Sequence, residues 1–163
     1  MHDAAYAYVQ RALARVPRPT RVLELGSRNV NGSVRDLFGP EVDYCGIDVR
    51  PGVGVDVVAD AANFGKDYDY DLVICCEVLE HSPEGAVICA NAHRVLNWGG
   101  VLIVTTAYTG RAPHSGLDGG TLRHGEYYRN VTFDDLYDWL APFAAAAYET
   151  NQTAHDLYAT AVK

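Results

Sequence analysis

The sequence predicts an α/β fold: a mostly parallel seven-stranded sheet with helices on both faces and a C-terminal antiparallel hairpin. Three observations lead to it. Short apolar runs end in acids, as in Val22-Leu23-Glu24-Leu25 and Tyr44-Cys45-Gly46-Ile47-Asp48. Segments of strand length alternate with helical patterning up to residue 106. Beyond residue 131 a capped helical segment precedes two further strand-like runs.

Taken in order, residues 2–16 place alanine, tyrosine and leucine at helical spacing, and Pro17 and Pro19 end the helix. Residues 22–25 form the first strand. Ser33 to Phe38 has apolar residues three and four apart and reads as a short helix stopped by Gly39-Pro40. The second strand is 43–48. Alternation over Val55 to Asp60 gives a third, after the turn Pro51-Gly52-Val53-Gly54. Asp71 to Cys76 is almost continuously apolar, as expected of a strand covered on both faces. A helix from Pro83 to Leu96 closes at Asn97-Trp98-Gly99-Gly100, and Val101 to Thr106 is the fifth strand. Residues 107–131 hold five glycines and no periodicity, so they read as a lid-like or binding loop. Thr132 is placed to cap a helix over 133–140, with Asp134 and Asp135 in its first turn. Strands at 144–149 and 155–162 complete the hairpin.

With 163 residues the chain has room for one domain, 1–163, and not for a second substrate domain. No apolar run reaches membrane-spanning length and the N-terminus lacks a secretory apolar stretch, so a cytoplasmic protein without membrane contact is expected. A formal charge of −8 argues against direct nucleic-acid binding. The eleven tyrosines lack the basic groove that a base-stacking platform requires. Cys45, Cys75, Cys76 and Cys89 have no zinc-ligand spacing and read as buried thiols in a reducing compartment. A homo-oligomer is compatible with the sequence.

The candidate site lies at the carboxyl ends of the strands, where open α/β sheets bind ligands. Gly26 allows a tight turn off the first strand and close approach by a ligand. A dinucleotide fingerprint would place glycine at later positions of this turn, which here hold Arg28, Val30 and Asn31. Ser27, Arg28, Asn29 and Asn31 instead offer side chains suited to the carboxylate and ammonium of an amino acid. Glu24 either orients the turn or receives an ammonium. Asp48 is placed to accept from a ribose diol, and Asp60-Ala61 to address the edge of an adenine.

Glu24-x-Gly26, Asp48, Asp60-Ala61 and the segment Asp71-Leu72-Val73-Ile74-Cys75-Cys76-Glu77-Val78-Leu79-Glu80-His81 resemble the motifs of class I S-adenosylmethionine-dependent methyltransferases. The Glu77-to-His81 stretch is similar to the signature of the methyltransferase-11/UbiE-like type. The resemblance implies a Rossmann-like fold and S-adenosyl-L-methionine as cofactor. It implies that Glu24, Gly26, Ser27, Arg28 and Asn29 surround the methionine moiety. Asp48 would then hold the ribose, Val49 pack on adenine, Asp60 and Ala61 read its edge, and Glu77 lie beside the reacting methyl. The family turn usually reads E-x-G-x-G-x-G, and Arg28 and Val30 depart from it.

Methyl transfer from a sulfonium is an in-line displacement in which alignment supplies much of the rate. A proton-bearing O, N or C nucleophile can still need a base, for which His81 is the first candidate and His114, His124, Tyr127, Tyr128 and Arg129 of the long loop are the others. In the long loop, His124-Gly125-Glu126-Tyr127-Tyr128-Arg129 resembles a family stretch that closes over cofactor and acceptor. Tyr127, Tyr128 and Arg129 are therefore candidates for acceptor contact, and Arg129 equally for anchoring the loop. No metal site is expected: His81, His114, His124 and Cys76 carry ligand atoms, but nothing in the sequence fixes their distances. A small-molecule acceptor fits the short, acidic chain. The alternative reading is a non-catalytic S-adenosylmethionine- or S-adenosylhomocysteine-binding or regulatory protein of the same fold.

Overall fold

In the computed structural model, which describes residues 2–163, seven strands form one sheet in the order β3-β2-β1-β4-β5-β7-β6. The strands are β1 (Arg21–Leu25), β2 (Asp43–Asp48), β3 (Val57–Val58), β4 (Tyr70–Cys76), β5 (Leu96–Ala107), β6 (Ala145–Asn151) and β7 (Asp156–Val162). The first five run parallel, and β7 lies antiparallel between β5 and β6. The helices are α1 (Asp3–Leu13), α2 (Gly85–Val95) and α3 (Phe133–Trp139).

Alternation along the central strands gives each face its own core. Val22, Leu72, Ile74, Val101 and Ile103 pack with Tyr8, Val9 and Ala12 of α1. Leu23, Leu25, Val73, Cys75, Leu102 and Val104 pack with α2 and α3 through Ile88, Ala92, Val95, Leu136 and Leu140. This is the fold class expected, hairpin and helices on both faces included. All four cysteines are free thiols, three of them buried. No helix among the described residues is long and apolar enough to cross a membrane.

Three elements differ from the expectation. The helix expected at 33–38 is only a 3₁₀ turn, Arg35–Leu37. Six residues before Gly39-Pro40 cannot sustain the nucleation cost of an α-helix, although Val34 is still buried. The strand expected over 55–60 pairs only at Val57 and Val58, at the exposed edge beyond β2. On either side of it, the Asp56 amide donates to Gly46 and the Ala59 amide to Asp48, so the pairing frays rather than stops. Residues 97–100, expected as a helix-closing turn, are drawn into an irregular start of β5, with a register shift against β4 between Tyr70 and Leu72. The N-terminal helix also ends at Leu13 rather than residue 16.

Candidate active site

Parallel strands deliver their carboxyl ends to one edge of the sheet, and there a cleft of about 900 Å³ opens. Its first wall is the turn after β1. The amides of Gly26 and Ser27 both donate to the Ile47 carbonyl, at 2.8 and 2.9 Å, folding the chain back over the end of β2. Gly26 has φ +76°, and a Cβ there would come within 2.2 Å of Val78 Cγ2. Only glycine fits the backbone conformation and the contact together. Ser27 is 2% exposed, and its hydroxyl has no hydrogen-bond partner among the described residues.

Glu24 is buried beside this turn and accepts a hydrogen bond from the Tyr44 hydroxyl at 2.8 Å. Burial raises its carboxyl above the ordinary range. Asp48 and Asp60 stand at the ends of β2 and the frayed β3. Each carboxylate accepts one local amide through Oδ1, from Arg50 and Ala62 respectively, both at 2.9 Å. No other donor among the described residues reaches either carboxylate, so each second oxygen is available to a ligand. Val49 lines the same cleft and is 65% exposed, a large apolar side chain without cover. Ile47, Ala61, Val78 and Ile88 supply the remaining apolar lining of this half.

The other half is polar. Glu77 follows β4 with φ +56°, a backbone state costly for a non-glycine residue. Its Oε1 accepts from Thr105 Oγ1 at 3.0 Å, while Oε2 faces His2 Nε2 at 3.6 Å and Arg111 Nη2 at 3.9 Å. His2 and Arg111 converge in turn on the fully buried Asp156, at 3.1 and 2.9 Å. His81 lines the cleft with its ring edge-on to His114, centroids 4.9 Å apart. Burial, reinforced by repulsion from His114, lowers its pKa to about 4, so its imidazole is neutral at pH 7. The adjoining Glu80 is fully buried, and desolvation together with the charge of Glu77 pushes its carboxyl well above the ordinary range.

The loop after β5 closes the cleft and is internally knit. Ser115 Oγ donates to Glu126 at 2.8 Å, the Ser115 amide donates to Gly120, and Arg123 pairs with Asp118. Arg28 ties this loop to the β1 turn, donating through Nη2 to the carbonyls of Gly116 and Leu117 at 3.1 and 2.8 Å.

The structure thus brings Glu24, Gly26, Ser27, Arg28, Asp48, Val49, Asp60, Ala61, Glu77, His81 and Tyr127 to one cleft. Among the described residues it does not place Asn29, Tyr128 or Arg129 in the lining. Asn29 stays within its turn, accepting from the Gly32 amide through Oδ1 at 2.9 Å. The Tyr128 hydroxyl donates to Asn130 at 2.9 Å, and its ring packs against His81 and His114 from outside the lining. Arg129 pairs with Asp135 at 3.1 Å, and its amide donates to the Glu80 carbonyl, both of which anchor the loop. His114, a candidate from the long loop, also lines the cleft, whereas His2, Val78, Ile88 and Arg111 were not among the sequence candidates for binding or catalysis. His2 and Ile88 carry no local motif, Val78 lies in the Glu77-to-His81 stretch without a polar group to mark it, and Arg111 sits in an aperiodic loop whose course the sequence does not specify.

Solved structures with this architecture are numerous and distant in sequence. The 1,6-didemethyltoxoflavin-N1-methyltransferase of Burkholderia thailandensis, solved with 1,6-didemethyltoxoflavin and S-adenosylhomocysteine, has a TM-score of 0.68 and 16% identity over 98% of this chain and 76% of its own. The N-methyltransferase NodS of Bradyrhizobium japonicum, solved with S-adenosylhomocysteine, has a TM-score of 0.66 and 16% identity over 98% and 85%. The YcgJ protein of Bacillus subtilis has a TM-score of 0.69 and 12% identity, over 99% of both chains. At such identities these likenesses show a shared fold. No curated protein matches the chain. The sequence itself matches a methyltransferase domain family over residues 1–151, so the chain belongs to that family.

Proposed function

We propose that the protein is an S-adenosyl-L-methionine-dependent methyltransferase acting on an O, N or C nucleophile of a small-molecule acceptor. The observation that carries this reading is the apolar half of the cleft. One cleft collects two carboxylates with free oxygens, the uncovered Val49 and a buried serine hydroxyl that lacks a partner among the described residues. A buried hydroxyl left unsatisfied costs about 1–3 kcal/mol, and a polar ligand at the β1 turn would recover it. Asp48 would accept from the ribose hydroxyls, Val49 and Ile88 would sandwich the base, and Asp60 with the Ala61 backbone would address its edge. Glu24 and the 26–28 turn would hold the amino-acid end. The bound cofactor supplies a methyl group on a sulfonium, which an in-line nucleophile displaces.

The chain's own contribution at the polar end is alignment. Glu77, fixed by Thr105 and facing His2 and Arg111, sets a charged wall that orients an acceptor. A neutral His81 can accept a proton, although a pKa of about 4 makes it a weak base at neutral pH. The binding of S-adenosylhomocysteine by the Burkholderia and Bradyrhizobium enzymes supports the cofactor assignment. The Glu77-to-His81 stretch supports placement within the methyltransferase-11/UbiE-like type. Free, mostly buried cysteines support a cytoplasmic location for the single domain.

Calorimetric titration tests the reading. S-adenosylmethionine and S-adenosylhomocysteine should both bind saturably, and NAD should not. Asp48→Ala should weaken both by about ten- to hundredfold, the equivalent of roughly 1.5–3 kcal/mol for hydrogen bonds to a charged acceptor. Folded protein that binds neither sulfur nucleoside would refute the cofactor assignment. Binding without turnover across an acceptor screen would favour the non-catalytic alternative.

A further inference from the structure

Two groups of metal-ligating side chains converge at the polar end of the cleft: His2 with Glu77 and Asp156, and Glu80 with His81 and His114. They are not equivalent. The first already holds a fixed cation, because the Arg111 guanidinium lies 2.9 Å from Asp156 and 3.3 Å from His2 Nε2. A metal ion there would have to displace it. In the second group, among the described residues, no lysine or arginine side chain pairs with the fully buried Glu80, and an ion that binds there displaces the proton its carboxyl retains through burial.

We propose that Glu80, His81 and His114 form a site for one divalent transition-metal ion of the zinc class, with an open coordination position facing the cleft. The three ligand atoms all lie within 4.8 Å of one another. A tetrahedral zinc site would bring them to roughly 3.3 Å, given metal–ligand bonds of about 2.0–2.1 Å. His114 belongs to the closing loop, so the proposal requires that loop to move its imidazole inward and the Glu80 and His81 side chains to adjust toward it.

The surrounding contacts are those that orient metal ligands. Thr106 Oγ1 donates to Glu80 Oε2 at 2.9 Å and the Ala107 amide to Oε1 at 3.2 Å, fixing the carboxylate. His114 Nδ1 lies 3.1 Å from the Ala112 carbonyl. That bond sets the tautomer in which Nδ1 carries the proton and Nε2 presents its lone pair. Two imidazoles and one carboxylate suit zinc among the common biological cations. His81 and His114 line the cleft whereas Glu80 does not, so the remaining coordination position lies on the cleft side. There it would take an oxygen or nitrogen lone pair from a small molecule. The ion would also pin the loop after β5 to the end of β4. This site stands independently of the cofactor assignment, and with the ion bound the His81 lone pair ligates it instead of accepting a proton.

The test is titration of chelator-treated full-length protein with zinc chloride by calorimetry and with cobalt chloride by visible absorption. One saturable site per chain is expected, with a cobalt spectrum of nitrogen and oxygen ligation. His114→Ala and the milder His114→Gln should each weaken binding by about tenfold or more, at least the cost of losing an outer-shell partner. Zinc should raise the melting temperature of the parent protein and leave that of both variants unchanged. His2→Ala and His124→Ala should bind as the parent does. Absence of saturable binding, parent-like affinity in both His114 variants, loss of binding in His2→Ala, or a thiolate-to-cobalt charge-transfer band would each overturn the proposal.

Discussion

Gly26 meets two demands at once, a positive φ and contact with Val78, and the two can be separated experimentally. Gly26→Ala should destabilise the protein by about 1–2 kcal/mol through backbone strain alone, and further through the clash. Shortening Val78 to alanine in the same chain should relieve the second part and leave the first. A double-mutant cycle by chemical denaturation should therefore give a favourable coupling energy between residues 26 and 78. Purely additive effects would show that the turn moves away from Val78. At this scale the sequence was informative where one residue type has one purpose. Gly26, Asp48 and Asp60 were identified from their positions after strands and Glu77 from the family resemblance, and all reach the cleft. Residues with several outlets were not resolved. Arg28 could address a ligand, yet its guanidinium bonds loop carbonyls, and Arg129 satisfies Asp135. Long side chains choose among partners that only the folded chain brings near.

Elements were legible in proportion to their length and burial. β1, β2 and β4 lie within a residue of the expected bounds, because buried parallel strands require continuous apolar character. The 3₁₀ turn at Arg35–Leu37 and the two-residue β3 were overestimated, since a local apolar pattern does not reveal whether a neighbour exists to reward it. The capping signal of α3 was read correctly: Thr132 accepts from the Asp135 amide, and the Asp135 carboxylate accepts from the Thr132 amide. Thr132→Ala should cost about 1 kcal/mol, measurable as a shift in denaturation midpoint. The loop after β5 is held to the β1 turn chiefly by Arg28. Arg28→Ala should increase amide exchange across residues 111–129 while exchange in β4 stays unchanged. Equal protection in the variant would show that the loop's internal bonds alone fix it.

At the scale of the molecule, Asp71 joins two strand entrances on the side opposite the cleft. Its carboxylate accepts from the amide and hydroxyl of Thr20, the Arg21 amide and the Asn97 side chain. Burial works to raise its pKa, but the donors outweigh it and hold the carboxyl at about 2, below the ordinary 3.8. The sign follows from proton linkage. The unfolded chain binds this proton at higher pH, so the stabilisation is full above about pH 4 and is lost as pH falls through about 2. Asp71→Asn should lower stability at neutral pH and flatten the acid limb of the pH–stability curve between those values. An unchanged acid limb would show that the donors follow water rather than the carboxylate.

The placement of β7 inside the sheet has a consequence for how the chain is made. β6 has β7 as its sole neighbour, and β7 pairs on its other side with β5. A ribosome releases residues 145–151 first, and they have nowhere to bind until residues 156–162 have slotted beside β5. Until then the chain carries an alanine-rich unpaired strand. β6 can therefore join the sheet only with or after β7.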